Sequence, residues 1–237
     1  VHAIEIDHLV KSYDHLNAVD DLTFAVRAGS VTGFLGPNGA GKTSTIQVLL
    51  GLAKATSGTA TVFGQNYGDL EDPTGTVGAL LEPSGIHPAR SGRDHLRVLA
   101  ASAKIPDSRV DAVVKAVGME QAARRKARTY SMGMRQRIGI AAALLGSPRI
   151  LILDEPANGL DPAGMLWLRK LLREFADDGG TVLLSSHVLA EVTQVADDIL
   201  IIAQGKLVLT QELDALVDSA SLEDTYLNVT AGAEAMR

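Results

Sequence analysis

The run Gly36-Pro37-Asn38-Gly39-Ala40-Gly41-Lys42-Thr43 lies between an apolar pentapeptide, Val31-Thr32-Gly33-Phe34-Leu35, and a helical stretch from Thr43 to Leu50 that Gly51 stops. It satisfies G-x-x-x-x-G-K-[ST] in a strand, loop, helix context, and that context points to an α/β fold. Glycines let consecutive backbone N–H groups turn inward on a polyphosphate, and the helix that follows offers its positive N-terminal end to the same anion. Gly36, Pro37, Asn38, Gly39, Ala40, Gly41, Lys42, Thr43 and Ser44 are the candidate phosphate contacts. Lys42 is placed to reach the β- and γ-phosphates, and Thr43 to ligate Mg²⁺.

Composition narrows the remaining choices. A chain of 237 residues, 46% hydrophobic and 21% charged, buries one large core or a core with a substantial insertion. The formal charge of −6 opposes a grip on nucleic acid through phosphate neutralisation, so no nucleic-acid partner is expected. With no cysteine, disulfides, thiolate metal sites and thiol chemistry are excluded. No apolar run approaches the length of a bilayer span, and Val1-His2-Ala3-Ile4-Glu5 lacks the basic and apolar regions of a signal peptide.

Residues 4–10 and 18–26 carry β-branched and aromatic residues in partial alternation and read as antiparallel strands ahead of the loop. Further strands are expected at 59–63, 77–81, 150–153, 181–184, 199–202 and 206–209, with helices at about 163–177 and 188–196. From about Ser91 to Ala143 the chain becomes Ala-rich, with apolar positions at helical spacing broken at Pro106 and Gly118, which reads as a helical insertion. Strands alternating with helices indicate a parallel α/β core. From Leu213 onward a polar helical tail is expected.

Two more constellations carry chemistry. Ile150-Leu151-Ile152-Leu153-Asp154-Glu155-Pro156 is an apolar strand ending in two carboxylates, at the strand end where α/β folds bind ligands. Asp154 suits Mg²⁺, directly or through water. Glu155, turned by Pro156, suits a general base that polarises an attacking water. Thr129-Tyr130-Ser131-Met132-Gly133-Met134-Arg135-Gln136-Arg137 opens an Ala-rich helix with Ser131 as N-cap. Gly133 beside free helix N–H groups makes a second anion site with no phosphate of its own to hold. The basic cluster Arg124-Arg125-Lys126 with Arg128 reads as a solvated face of the insertion.

Together these motifs resemble the nucleotide-binding subunit of an ATP-binding cassette (ABC) transporter, over about Ile4 to Leu209. Tyr13 falls where that family has an adenine-stacking aromatic, residues 130–134 match its signature loop, Ala157-Asn158-Gly159-Leu160-Asp161 its D-loop, and Ser185-Ser186-His187 its switch histidine. The spacing fits as well: forty residues from Lys42 to Glu82, 23 from Ser131 to Asp154 and 32 from Glu155 to His187. Glu82 stands where the family usually has a Gln that bridges Mg²⁺, water and the membrane subunit, and Met134 where many signature loops carry Gln. Both substitutions, and the stretch from Ser84 to Leu99, resemble bacterial bacitracin- and multidrug-type exporters.

The resemblance implies a P-loop NTPase core with a parallel sheet, an N-terminal antiparallel β subdomain and a helical subdomain at about 84–145, within a nucleotide-binding domain spanning 1–212 and followed by a tail at 213–237. It implies ATP and Mg²⁺ as ligands, Lys42, Glu155 and His187 as catalytic residues, and Ser131, Gly133 and Asp161 as contacts to nucleotide. It also implies head-to-tail pairing of two such subunits, homo- or heterodimeric, on a separate multi-span permease at the cytoplasmic face of the cell membrane. The rival reading is a soluble single-cassette ATPase, a nucleotide-switched clamp of the cluster-assembly kind. A kinase or GTPase leaves the second anion site unexplained, and no Asn-Lys-x-Asp run is present.

Overall fold

The computed structural model describes residues 1–81, 85–213, 224 and 226–228. The chain divides into two compact units, one formed by Val1–Glu71 with the chain from Leu172 on, the other by Asp72–Leu171.

In the first unit, β1 (His2–Tyr13) and β2 (Leu16–Arg27) form an antiparallel hairpin, and β4 (Ser57–Val62) pairs with the other side of β1. Asp14, at φ 51°, turns the hairpin. These strands alternate buried and exposed residues over much of their length, as an antiparallel sheet with one solvated face does. The hairpin is longer than the expected 4–10 and 18–26 because its outer rungs, Ser12 opposite Asn17 and Tyr13 opposite Leu16, are polar or exposed and carry no hydrophobic signal.

A second sheet of this unit orders β7 (Thr181–Ser186), β3 (Val31–Leu35), β8 (Asp198–Ala203) and β9 (Lys206–Glu212). β7, β3 and β8 are parallel and β9 returns antiparallel. Every residue of β3 and β7 is buried, the continuous apolar pattern of strands covered on both faces, whereas β9 alternates intermediate and exposed residues. Gly33 is required in β3 because a Cβ there would run into Val192 of α7 (Leu189–Val192). The helix expected over 188–196 is instead a single four-residue turn followed by turns at 193–195. Arg27 ties the hairpin to β8 with a two-pronged pair to Asp198, at 3.0 and 2.9 Å, and Asp198 raises the pKa of its guanidinium.

The second unit contains β5 (Val77–Leu80) parallel to β6 (Ile150–Asp154), with α3 (Gly92–Ser102), α4 (Asp107–Ala116) and α5 (Met132–Leu144). α2 (Pro73–Thr76) precedes β5, and α6 (Pro162–Asp177) leads out of the unit. The breaks expected at Pro106 and Gly118 bound α4. Ser91 caps α3 by accepting from the Asp94 N–H at 3.1 Å and donates in return to its carboxylate at 2.6 Å. Arg137 packs 4.0 Å from the Trp167 ring centroid and donates to Val117 O at 2.8 Å, while Trp167 donates to Ala116 O at 3.2 Å. The C-terminal end of α4 is thereby fixed to both α5 and α6. Arg124, Arg125, Lys126 and Arg128 are all exposed.

His95 is half-buried in α3, and its Nδ1 has no partner among the described residues. Burial lowers its pKa from the usual 6.5, and the Arg90 charge adds to the effect. The unfolded chain therefore takes up this proton first as pH falls through about 6.5, so acidification disfavours the folded state. His95→Gln should lessen the fall in Tm between pH 7.5 and 5.5, measured by thermal denaturation.

Candidate active site

β3 and β7 run parallel in register, Leu35 opposite Ser186, so the chain leaves both strands at one edge. The loop 36–41 follows Leu35 and His187 follows Ser186. The phosphate-loop candidates and His187 therefore share the C-terminal rim of a parallel sheet, where such sheets bind ligands.

Main chain holds the loop in shape. Gly205 N–H donates to Ala40 O at 3.0 Å and Ala40 N–H to Pro37 O at 3.1 Å. A Cβ at Gly36 would strike Ile202 O, and one at Gly41 would strike Ala18 O. Gly41 also takes φ 105°, a conformation that favours glycine. α1 (Lys42–Leu49) begins at once, with no side chain capping its N-terminus and no acidic residue in its first turn. The helix-terminal N–H groups thus fit an anion better than any described side chain. Lys42 is 5% exposed and donates to Gly36 O at 2.6 Å and Pro37 O at 3.4 Å. Carbonyl dipoles keep its ammonium inside the curl of the loop, while Thr43 is exposed on the first turn of α1. These residues fit a nucleotide polyphosphate.

Tyr13 ends β1, is 44% exposed and has the Lys11 ammonium 4.4 Å from its ring centroid. It belongs to the hairpin whose Ala18 carbonyl backs Gly41, and its open face suits stacking. His187 is exposed. Its carbonyl accepts from the Tyr226 hydroxyl at 2.8 Å, and the next N–H, of Val188, donates to Ser186 Oγ at 3.0 Å.

In the second unit, β6 delivers Asp154, 6% exposed, and then Glu155, whose φ of 49° is left-handed. A non-glycine residue in that region costs about 1–2 kcal/mol. The turn at 155–158 is closed by Asn158 N–H donating to Glu155 O at 3.2 Å, with Pro156 in the second position, where its fixed φ is favoured. This is the turn the sequence predicts for Pro156. Asp154 supplies a carboxylate at the end of a buried strand, the hard oxygen donor that Mg²⁺ prefers. Among the described residues no cluster of three or more His, Asp or Glu forms a metal cage, so Mg²⁺ here would draw on phosphate and water oxygens as well. Glu82 lies outside the described residues.

Ser131 caps α5 as expected, accepting from Met134 N–H at 3.2 Å, and is exposed. Gly133 sits against the carbonyl of Gly159, 3.0 Å from an ideal Cβ, and Gly159, at φ 76°, lies against the Met132 side chain. The start of α5 is therefore packed on the loop that follows Glu155. Asp161 is exposed and accepts from Gly164 N–H at 2.7 Å, so one carboxylate oxygen caps α6. Sequence reasoning missed Gln136. It is 1% exposed and donates from Nε2 to Glu155 O at 3.3 Å. A polar residue one helical turn before Ile140, on a face that the helix buries, was the available signal.

Residues 19–158, more than half of the chain, match the family model of the ABC transporter. The chain belongs to the ABC transporter ATP-binding family. This ABC protein is 39% identical over 227 residues to the uncharacterized ABC transporter ATP-binding protein YhcH of Bacillus subtilis, covering 94% of the chain and 73% of that protein. It is 40% identical over 207 residues to the bacitracin transport ATP-binding protein BcrA of Bacillus licheniformis, covering 86% and 68%. To the lantibiotic transport ATP-binding protein SrtF of Streptococcus pyogenes it is 35% identical, covering 95% and 96%. A solved ATP-binding subunit of an ABC transporter superposes with a TM-score of 0.85 at 26% identity, covering 96% of this chain and 99% of that one. A dimeric cassette in a post-hydrolysis state with ADP and Pi superposes at 0.81, with 21% identity over 90% of this chain and 100% of that one, a likeness of fold. The ABC protein described here therefore has the cassette fold, binds ATP and hydrolyses it.

Proposed function

We propose that this ATPase powers export of an antibiotic or peptide through a separate multi-span permease, docked at the cytoplasmic face of the membrane. The observation that carries this reading is likeness along most of the chain to proteins named for bacitracin and lantibiotic transport. No described helix is long and apolar enough to cross a membrane, so the permeation path needs another polypeptide or another segment. No described feature favours the soluble-clamp alternative.

In this reading the loop amides from Gly36 to Ser44 and the Lys42 ammonium bind and orient the phosphates, and Tyr13 stacks on the adenine. Glu155 takes a proton from the attacking water, and His187 contacts the γ-phosphate. Thr43, Asp154 and Glu82 are the residues that would serve Mg²⁺, and the metal, when bound, would neutralise charge on the phosphate oxygens. Ser131, the Gly133 N–H and Asp161 act on the nucleotide of a second, head-to-tail subunit, which gives the exposed N-terminus of α5 its phosphate. Hydrolysis removes the γ-phosphate that joins the subunits, and their separation moves the permease.

Affinity capture of the tagged chain from detergent-solubilised membranes tests the reading: a multi-span membrane protein should co-purify, and recovery without one contradicts it. Ser131→Arg should leave ATP binding near wild type and reduce turnover about 100-fold or more. A cation of that size at the helix start both fills the space and opposes the helix dipole. Titration calorimetry and phosphate release measure the two quantities.

A further inference from the structure

Gln136 is a buried polar residue without a role in the reading above. Its amide crosses from α5 to the carbonyl of Glu155, the residue with the left-handed backbone. The opposite amide orientation would set two acceptor oxygens against each other, so Nε2 is the atom that faces Glu155 O. Its Oε1 has no partner among the described residues, an arrangement that costs stability.

Two further contacts join the same pieces. Gly133 abuts Gly159 O, and Met132 lies on Gly159. The first turns of α5 thus hold the 155–159 loop at both ends, and Gln136 holds the end that carries the carboxylate.

We propose that Gln136 is a positioning residue for Glu155: its hydrogen bond fixes the Glu155 backbone, and hence the aim of the carboxylate, from the helix that Ser131 begins. The proposal rests on Glu155 as the general base. It makes α5 the element through which engagement of Ser131 with a phosphate is felt at the base on the same chain.

Gln136→Met keeps the length of the side chain and removes both the donor and the orphan acceptor. Glu155 O keeps the Asn158 N–H as a partner, so no carbonyl is stranded. The expected result is a kcat about five- to tenfold lower, the worth of one such hydrogen bond in the transition state. ATP affinity should stay within about twofold and Tm should be unchanged or raised. Gln136→Glu, which sets a carboxylate against the carbonyl, should lower kcat further than Met does. In a Glu155→Gln background, Gln136→Met should change the residual rate little, because the group it positions is already disabled.

A Gln136→Met enzyme with wild-type kcat, or with a lowered Tm and normal kcat, overturns the proposal and leaves Glu155 in its role. An equal loss in the Glu155→Gln background also overturns it. A Glu155→Gln enzyme that turns over at the wild-type rate overturns the base assignment, and the role of Gln136 with it.

Discussion

Glu155→Gln should bind ATP as wild type does and turn it over about 10²- to 10⁴-fold more slowly, the contribution typical of a positioned general base. The change is isosteric and leaves the strand, the turn and the backbone bonds of residue 155 in place. Glu155 follows an all-buried strand and sits at φ 49° ahead of a Pro-containing turn. A strained backbone is retained where the surroundings over-determine it, and here it aims one carboxylate. Single-turnover phosphate release is the decisive readout, because it separates chemistry from product release. A rate within about threefold of wild type would remove Glu155 from the chemistry.

Lys42→Ala should weaken ATP binding by about 10- to 100-fold or more, since hydrogen bonds from a charged group contribute roughly 1.5–3 kcal/mol and each 1.4 kcal/mol is tenfold. The Lys42 ammonium is held inside the curl of the loop by the carbonyls of Gly36 and Pro37. Arginine should not rescue it, because a planar fork cannot occupy the space of a buried ammonium against Gly36 O. Calorimetric titration with ATP and MgCl₂ measures the loss. Affinity within about threefold of wild type would show that the loop amides alone hold the phosphates.

The sequence was most legible where a motif is local. The strand, loop and helix around 31–50 appear within a residue of where the pattern puts them, because apolar run, glycines and helix start are contiguous. The reasons for particular glycines were not legible. Gly36 answers to Ile202 O, Gly41 to Ala18 O and Gly33 to Val192, all partners distant in the chain that only the fold brings near. The same holds for Gln136 and Glu155, which are 19 residues apart, and for Tyr226 and His187, which are 39 apart. Ser131 was readable because an N-cap is a local device, whereas the capping of α6 by Asp161 was masked by its place in a motif with another reading. The helix at 188–196 was overextended because its apolar positions serve packing on Gly33 rather than helical length. The expected tail from Leu213 lies mostly outside the described residues, as does Glu82.

In the proposed function the phosphate loop is half of a site whose other half, Ser131 and the start of α5, comes from a second subunit. Sedimentation velocity of Glu155→Gln, with and without ATP and Mg²⁺, tests that most directly. The account predicts a monomer without nucleotide, a dimer with it, and a monomer under both conditions once Ser131→Arg is added. A Glu155→Gln protein that remains monomeric at saturating ATP, or a Ser131→Arg double variant that dimerises as well as its parent, would contradict it.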